Sequence, residues 1–359
     1  MVNLKVKTLF NVALVGCGRV AKKHAEVLSS NIPGLRLKAV ADKDSVKAKE
    51  MGKLFSVNSY EDMHQMMRTE NIDIVSVLTE SGSHASIVLD LAQYKKHIIV
   101  EKPMALKLSD ADLMIEECDK MGIRLFVVKQ NRFNLPIIKL KEAINEKRLG
   151  KIFLGTVRVR WCRKQEYYDQ DSWRGTWSMD GGVLTNQASH HIDMLLWMLG
   201  EVESVFGMAS RAIADIQAED TAVVNIKFKS GALGIVEATT AQACCDLEGS
   251  ISVLGDKGTV EVGGFAMNKM KIWKFQEEYD SDKSVVNDFN ENPPNVYGFG
   301  HKKFYENVFN SIKNNDSFLI DGLSGRKSLE VINAIYESIE TGKKIDLGYS
   351  PKVNRLGYL

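Results

Sequence analysis

The sequence has almost no net charge, few cysteines and no long apolar run. Its 47 basic and 46 acidic residues leave a formal net charge of +1, so no global field attracts nucleic acid or an anionic membrane. The five cysteines are an odd number and form no CxxC pair, which argues against a disulfide framework and a zinc site. The start lacks the apolar stretch of a secretory signal. These absences predict a cytoplasmic protein that binds neither membrane nor nucleic acid.

Length and apolar pattern predict two domains of the α/β class. The chain has 359 residues, more than one hydrophobic core usually organises. From Asn11 to about Gln130, apolar runs of strand length alternate with helical segments, which is typical of a doubly wound parallel sheet. These runs cover residues 12–15, 35–41, 72–78, 97–100 and 125–128. After Gln130, Val157 and Val159 alternate with Arg158 and Arg160, and longer strands with glycine turns follow, which predicts an α+β domain with a large, mostly antiparallel sheet.

A glycine-rich turn, GCGRVA at residues 16–21, lies between the first strand and a helix. Gly16 permits a tight turn, Gly18 lets the backbone approach a pyrophosphate, and Ala21 keeps the helix close to the sheet. Asp42 ends the second strand, where a carboxylate hydrogen-bonds a ribose and repels a 2′-phosphate. Although Lys43 weakens that preference, the pattern predicts a Rossmann domain, over residues 1–130, that binds NAD rather than NADP.

The residues predicted to contact NAD lie in this turn and at the carboxyl ends of the strands. They are Gly16, Gly18, Arg19, Val20, Asp42, Thr79, Ser81, His84, Glu101, Lys102 and Gln130.

Lys102 is the first candidate for catalysis. Glu101-Lys102-Pro103 follows the strand at residues 97–100, at the edge where open α/β sheets bind ligands. A nearby nicotinamide cation favours loss of a proton from the lysine, which suits it to proton transfer. The alternative is an ordinary surface lysine after a strand.

His190 is the second candidate. Gly181-Gly182 precedes a predicted helix on which Asn186 and His190, four residues apart, share one face. An amide can orient a substrate hydroxyl while an imidazole removes its proton. The alternative is a packed core histidine, which is the interpretation we favour for His191. His24 is predicted to pack beneath the first helix. His64, His97 and His301 have no evident partners, so no metal site is predicted.

Cations and aromatic residues are mixed between these two candidates. They include Arg163 and Tyr168, and Arg174 lies in the block Trp173–Trp177. Such a mixture suits a substrate with phosphate or carboxylate groups and a planar base. The alternative is a polar sheet face or a subunit contact.

The motifs GCGRVA, EKP and the helix after Gly181-Gly182 resemble the glucose-fructose oxidoreductase and inositol dehydrogenase superfamily over the whole chain. The resemblance implies a Rossmann domain, then a substrate-binding and oligomerisation domain at residues 131–359. It also implies a homo-oligomer, dimer or tetramer, formed through the open sheet face. The catalytic residues of the family match Lys102 and His190, with His190 as the base on a sugar hydroxyl and Lys102 hydrogen-bonded to the same oxygen.

Four longer blocks, KQNR at 129–132, QEYY at 165–168, WRGTW at 173–177 and NQASH at 186–190, are similar to one branch of that superfamily. These are the UDP-N-acetyl-2-amino-2-deoxyglucuronate 3-dehydrogenases of bacterial surface-polysaccharide pathways. The resemblance implies NAD-dependent oxidation of the sugar C3 hydroxyl, with Asn186, Gln187, Arg163, Tyr168 and Arg174 on the substrate. Many superfamily members have aspartate where this chain has Asn186. An inositol or hexose dehydrogenase and a non-catalytic dinucleotide sensor stay as alternatives.

Overall fold

The computed structural model describes residues 9–30, 32–291, 293, 298–315, 320–348 and 353–358. The described chain forms two compact units. The first draws on Met1–Ala105, Ser109–Gln130 and His301–Arg326, and the second on Leu106–Leu108, Asn131–Gly300 and Lys327–Leu359. The units change after Gln130, and His301–Arg326 belongs to the first unit and not to the second. None of the described helices is long and apolar enough to span a membrane.

The first unit contains a six-stranded parallel sheet in the order β3-β2-β1-β4-β5-β6. Its strands are β1 Phe10–Val15, β2 Leu35–Ala41, β3 Asn58–Tyr60, β4 Ile74–Val77, β5 His97–Val100 and β6 Leu125–Val127. The helices between them are α1 Arg19–Ser29, α2 Ser45–Phe55, α3 Met63–Thr69, α4 His84–Ala92 and α5 Leu108–Lys120, with a 3₁₀ turn at Ser81–Ser83. The doubly wound prediction is confirmed. The sequence pattern missed β3 because this edge strand is short and polar.

A late helix, α10 at Gly300–Asn314, also packs on the first unit. The ring of its Phe309 covers Gly34, where a β-carbon would collide with the ring. Arg124, which precedes β6, donates from Nη1 to the Ser311 carbonyl at 3.0 Å. These contacts explain why the segment joins a core that is distant from it in sequence.

The second unit contains an eight-stranded sheet in the order β13-β12-β11-β7-β10-β9-β8-β14, mostly antiparallel, with β7 and β10 parallel. Its strands are β7 Ile152–Arg160, β8 Val202–Ser210, β9 Thr221–Phe228, β10 Leu233–Thr239, β11 Glu248–Gly255, β12 Gly258–Gly263, β13 Lys269–Phe275 and β14 Ile345–Asp346. The helical elements are a 3₁₀ turn at Gln130–Phe133, then α6 Leu135–Asn145, α7 Gln165–Asp169, α8 Ser189–Leu199, α9 Asp282–Asp288 and α11 Gly322–Thr341. The predicted α+β sheet is confirmed.

Helix α8 lies directly on one face of this sheet. Gly155 of β7 provides the space, because a β-carbon there would lie 2.8 Å from side-chain atoms of Leu195 and Leu199. Asp193 on the same helix accepts two hydrogen bonds of 2.8 Å from Arg132, and both side chains are buried. Breaking such a buried pair costs about 3–5 kcal/mol, so this contact fixes the position of α8.

Candidate active site

The glycine-rich turn of the first unit has the geometry of a phosphate-binding loop. Gly16 has φ +94°, and a β-carbon there would lie 2.8 Å from the Leu78 carbonyl group, so only glycine fits. Among the residues that the structure describes, no atom lies within 4 Å of the corresponding position at Gly18. Gly18 is the N-cap of α1 and provides no side-chain hydrogen bond to the backbone amides of the first helical turn. A helix start of this kind fits the pyrophosphate of a dinucleotide.

Asp42 is held in place at the end of β2. Its Oδ2 accepts a hydrogen bond of 2.7 Å from the Cys17 amide, and its Oδ1 accepts one of 2.8 Å from the Asp44 amide. The carboxylate is thereby bound to the glycine-rich turn itself, where a ribose of the dinucleotide is expected. Lys43 pairs with Glu80 at 2.9 Å. Glu80 thereby partly neutralises the positive charge of Lys43, which would otherwise attract a 2′-phosphate.

The rest of the predicted NAD set divides into residues at the turn and residues packed behind it. Arg19 and Val20 are the first residues of α1, and Gln130 is buried in the turn after β6. Thr79 shares a hydrogen bond of 2.9 Å with Ser83, and Ser81 is buried.

His84, which is predicted to contact the cofactor, lies inside the first unit. Its ring is buried, and its nitrogens lie 2.8 Å from the Pro103 carbonyl and 3.1 Å from the Thr79 carbonyl. Burial lowers the pKa of His84, although both carbonyl contacts act in the opposite direction. A neutral imidazole carries one N–H, so His84 donates to one of these two carbonyls and lies in contact with the other.

Glu101 and Lys102 differ sharply in their surroundings. Lys102 is half-buried, whereas Glu101 is buried and its carboxylate contacts His24 at 3.0 Å and the Lys102 amide at 2.9 Å. Burial acts to raise the pKa of Glu101, but the hydrogen bond from His24 leads the contributions that outweigh burial and lower that pKa to about 2. The Glu101 carboxylate is thus engaged inside the protein by both of these partners.

Sequence reasoning missed the partners of His301. The structure brings donor atoms of His24, Glu101 and His301, all buried, within 4.8 Å of one another. The rings of the two histidines meet edge to face with centroids 5.1 Å apart. The residues come from three distant parts of the chain, so no local pattern could indicate the cluster.

In the second unit, α8 begins at Ser189. A helix with Asn186 and His190 on one face would have to include Asn186, three residues earlier. Asn186 lies in the preceding turn, where its amide donates to Asp180 at 2.7 Å. The prediction of one helical face is therefore wrong. His190 lies in the first turn of α8 and is half-buried. His191 is fully buried against Trp161, and burial lowers its pKa to about 3, which confirms it as a neutral packed residue.

Gln187 is the substrate candidate with an open acceptor. The side chain is 6% exposed, and its Oε1 accepts no hydrogen bond from the described residues. A buried acceptor without a donor is unfavourable by about 1–3 kcal/mol, so a donor from a bound molecule would be stabilising there.

The other three substrate candidates already have partners in the second unit. Arg163 pairs with Asp246 at 2.7 Å, and Arg174 pairs with Asp171 at 2.9 Å. The Tyr168 hydroxyl lies 2.9 Å from Thr240 Oγ1, and burial raises its pKa to about 12. A cavity of about 370 Å³ has Tyr168, Asp171, Arg174, Arg211, Asp215 and Gln217 among its lining residues. Substrate anions would have to compete with these carboxylates for both guanidinium groups.

A second group that sequence reasoning missed supports the turn at Gly181-Gly182. Glu219 Oε1 accepts hydrogen bonds from the Leu184 amide at 3.0 Å and the Tyr336 hydroxyl at 2.9 Å. A β-carbon on Gly182 would collide with Glu219. Glu219 Oε2 is buried without a partner among the described residues. The turn before His190 is therefore built on a buried carboxyl group.

We expect Glu219→Gln to stabilise the protein at alkaline pH relative to acidic pH. Burial raises the pKa of Glu219 to about 7, so the folded state binds more protons than the unfolded state and stability falls as pH rises towards that value. The amide does not ionise, so the substitution removes a loss of folding free energy on the order of 1 to 3 kcal/mol at high pH. Melting curves at about pH 5 and about pH 8 should show the gain mainly at the higher pH. The exposed control Glu278→Gln should show none, and an equal gain at both pH values would contradict the assignment.

Comparison with known proteins agrees with this geometry. Residues 10–129 match the NAD-binding Rossmann fold of the GFO/IDH/MocA oxidoreductase family, and residues 141–347 match the C-terminal alpha/beta domain of the same family. The chain belongs to the GFO/IDH/MocA oxidoreductase family. Its first domain binds NAD, and the protein is an NAD-dependent dehydrogenase.

Two solved structures are similar to the chain over nearly its full length. The WlbA dehydrogenase from Bordetella pertussis, in complex with NADH and UDP-GlcNAcA, is 38% identical with a TM-score of 0.91, over 96% of this chain and 99% of that one. The WlbA dehydrogenase from Chromobacterium violaceum, bound to the same two molecules, is 38% identical with a TM-score of 0.89, over 96% and 98%. Myo-inositol 2-dehydrogenase of Thermotoga maritima is 30% identical over 94% of this chain and 98% of its own length.

Proposed function

We propose that this dehydrogenase oxidises the C3 hydroxyl of UDP-N-acetyl-2-amino-2-deoxyglucuronate (UDP-GlcNAcA) to a ketone, in bacterial surface-polysaccharide biosynthesis. One observation carries the proposal. Two dehydrogenases that bind NADH and UDP-GlcNAcA match 96% of the chain at 38% identity, against 30% for the inositol dehydrogenase. The blocks shared with that branch lie around Arg163, Arg174 and Asn186.

In this proposal NAD would be held by the glycine-rich turn, the start of α1 and Asp42. The chemistry that NAD would supply there is acceptance of the hydride that leaves the sugar carbon. His190 takes the hydroxyl proton as general base, and Lys102 hydrogen-bonds the reacting oxygen. Asn186 orients the sugar ring, restrained by its hydrogen bond to Asp180. Gln187 Oε1 accepts a hydrogen bond from the substrate.

The cations of the second unit supply the proposed selectivity for an anionic sugar nucleotide. Arg163 and Arg174 each hold one carboxylate in the structure, and Tyr168 lies beside Arg174 in the lining of the cavity. A substrate carboxylate or diphosphate can replace an aspartate on a guanidinium group without leaving it unpaired. A neutral sugar has no group that does so.

A comparison of substrates tests the proposal. NADH formation, followed at roughly 340 nm, should be fastest with UDP-GlcNAcA. UDP-N-acetylglucosamine should be poorer by about 1 to 3 kcal/mol in kcat/KM, because it lacks the carboxylate. Free glucose and myo-inositol should be poorer still, because they lack the binding energy of the nucleotide. If inositol or glucose is the best of the four, the nucleotide-sugar assignment is wrong and the inositol dehydrogenase alternative replaces it.

We also propose that the protein forms a homo-oligomer through the open face of the eight-stranded sheet. Exposed apolar side chains of neighbouring strands lie on this face, including Met208, Val223 and Leu233. Arg158 and Arg160 pair there with Glu237 and Glu248. Such a face is typical of a subunit contact. Light scattering of the purified protein should give the mass of a dimer or tetramer, and Leu233→Asp should lower it.

A further inference from the structure

A buried polar cluster lies in the first unit behind the segment that carries Lys102. It contains His24 of α1, Glu101 after β5, and His301 and Tyr305 of α10, each no more than 6% exposed. Burying a carboxylate and two imidazoles is unfavourable unless they are paired. The hydrogen bonds of the cluster therefore indicate what it holds in place.

The hydrogen bonds form a chain with one consistent direction. The Glu101 carboxylate can only accept, so His24 donates to it from Nε2 at 3.0 Å. In the neutral imidazole with its proton on Nε2, His24 Nδ1 accepts from the Tyr305 hydroxyl at 2.7 Å. The Tyr305 oxygen in turn accepts from Ser76 Oγ at 3.3 Å. Every proton in this chain has one acceptor, which fixes the His24 tautomer and the Glu101 rotamer.

This series of hydrogen bonds ends at the backbone amide of Lys102. The second carboxylate oxygen of Glu101 accepts the Lys102 amide at 2.9 Å. Beyond Lys102, the Pro103 carbonyl lies 2.8 Å from His84 Nδ1. The backbone is therefore held by buried side chains at the Lys102 amide and again at the Pro103 carbonyl, while the lysine side chain is half-buried.

We propose that His24 is a positioning residue, which acts through Glu101 to fix the backbone of Lys102. The inference rests on the proposed catalytic function of Lys102. His24 touches neither substrate nor reacting atoms. It presents the Glu101 carboxylate to the Lys102 amide, and Tyr305 orients its ring. Both His24 nitrogens are engaged in this way, by Glu101 and by Tyr305.

The test compares substitutions at His24 with a matched control. His24→Ala should lower kcat by about tenfold or more, because misplacing a catalytic group by a fraction of an ångström has effects of that size. His24→Gln should recover several-fold of that loss, since its amide can donate from near the Nε2 position. The control is His64→Ala, because His64 likewise contacts a tyrosine hydroxyl, Tyr94 at 2.9 Å, and a carboxylate, Asp90 at 3.0 Å. The control should leave kcat unchanged.

Two further measurements separate positioning from loss of folded protein. Nicotinamide fluorescence titration gives the concentration of NADH-binding sites, and kcat is expressed per site. In His24→Ala the dissociation constant of NADH and the sugar KM should stay within about threefold of the parent values, so the loss falls on kcat. If His24→Ala is insoluble, Tyr305→Phe replaces it, because that change removes only the hydroxyl that orients His24.

The outcomes distinguish this inference from the proposed function. Lys102→Met is measured in parallel, and normal turnover in that variant removes the catalytic assignment of Lys102 and this inference with it. If Lys102→Met loses turnover but His24→Ala or Tyr305→Phe keeps full kcat per site, only the positioning of Lys102 by His24 is wrong. The positioning role of His24 would also be overturned if the purified protein contained stoichiometric zinc and if removal of that zinc by a chelator abolished NADH binding.

Discussion

Replacing Lys102 with methionine or His190 with asparagine should lower turnover by a factor on the order of a hundred or more, the usual scale for loss of acid-base catalysis. Methionine keeps much of the length of lysine without a proton to donate, and asparagine cannot act as a base. Lys102 is half-buried on a segment held at both ends, and His190 lies in the first turn of a helix fixed by the Arg132–Asp193 pair. Stopped assays of NADH formation measure the effect.

NAD binding should survive in both variants, because neither change touches the glycine-rich turn. The double variant should be little worse than the more damaging single one, since both residues are assigned to one proton. Lys120→Met and His64→Asn are controls on exposed or half-exposed side chains and should keep normal turnover. Either catalytic variant with near-normal turnover and an unchanged melting temperature would remove that residue from the mechanism.

The second large effect concerns cofactor choice at Asp42. NAD should bind much more tightly than NADP, because the Asp42 carboxylate is fixed by the Cys17 and Asp44 amides and would face the 2′-phosphate. Asp42→Asn removes the charge and keeps one oxygen, which can accept from one of these two amides. It should therefore narrow the gap between the two cofactors, and calorimetric titration measures both affinities.

Asp44→Asn is a control for this prediction. Asp44 caps α2 and accepts from the Val46 amide at 3.0 Å, which asparagine does equally well, so the fold is kept and a nearby charge is lost. The ratio of the two affinities should change little in this variant. Equal affinity of the unmodified protein for NAD and NADP would refute the assignment of Asp42.

The first unit could be predicted closely because its signals are local. Parallel strands buried on both faces appear as continuous apolar runs, and β2 and β5 have the predicted bounds. The turn with Gly16 and Gly18 joins a strand to a helix within a few residues, so its geometry follows from the sequence. Alternation of apolar and polar residues identified β7 and β9 of the second unit for the same reason.

The remaining features depend on contacts between distant residues. Helix α10 returns to the first unit because Phe309 fills the space above Gly34, and periodicity does not indicate which core receives an apolar face. Asn186 was placed on a helix because four-residue spacing suits one, but its hydrogen bond to Asp180 holds it in the preceding turn. The carboxylate partners of Arg163 and Arg174 could not be predicted from composition either.

The most direct test of the whole account follows the hydrogen that leaves the sugar. The protein is incubated with NAD and UDP-GlcNAcA that carries deuterium at C3, and the reduced cofactor and the sugar are analysed by mass spectrometry. The account predicts that the cofactor gains one deuterium and that the sugar is recovered as a ketone without it. Substrate deuterated at C4 should give unlabelled cofactor. Deuterium that stays in the sugar while NADH forms, or no turnover of this sugar by a protein that binds NAD, would contradict the assignment.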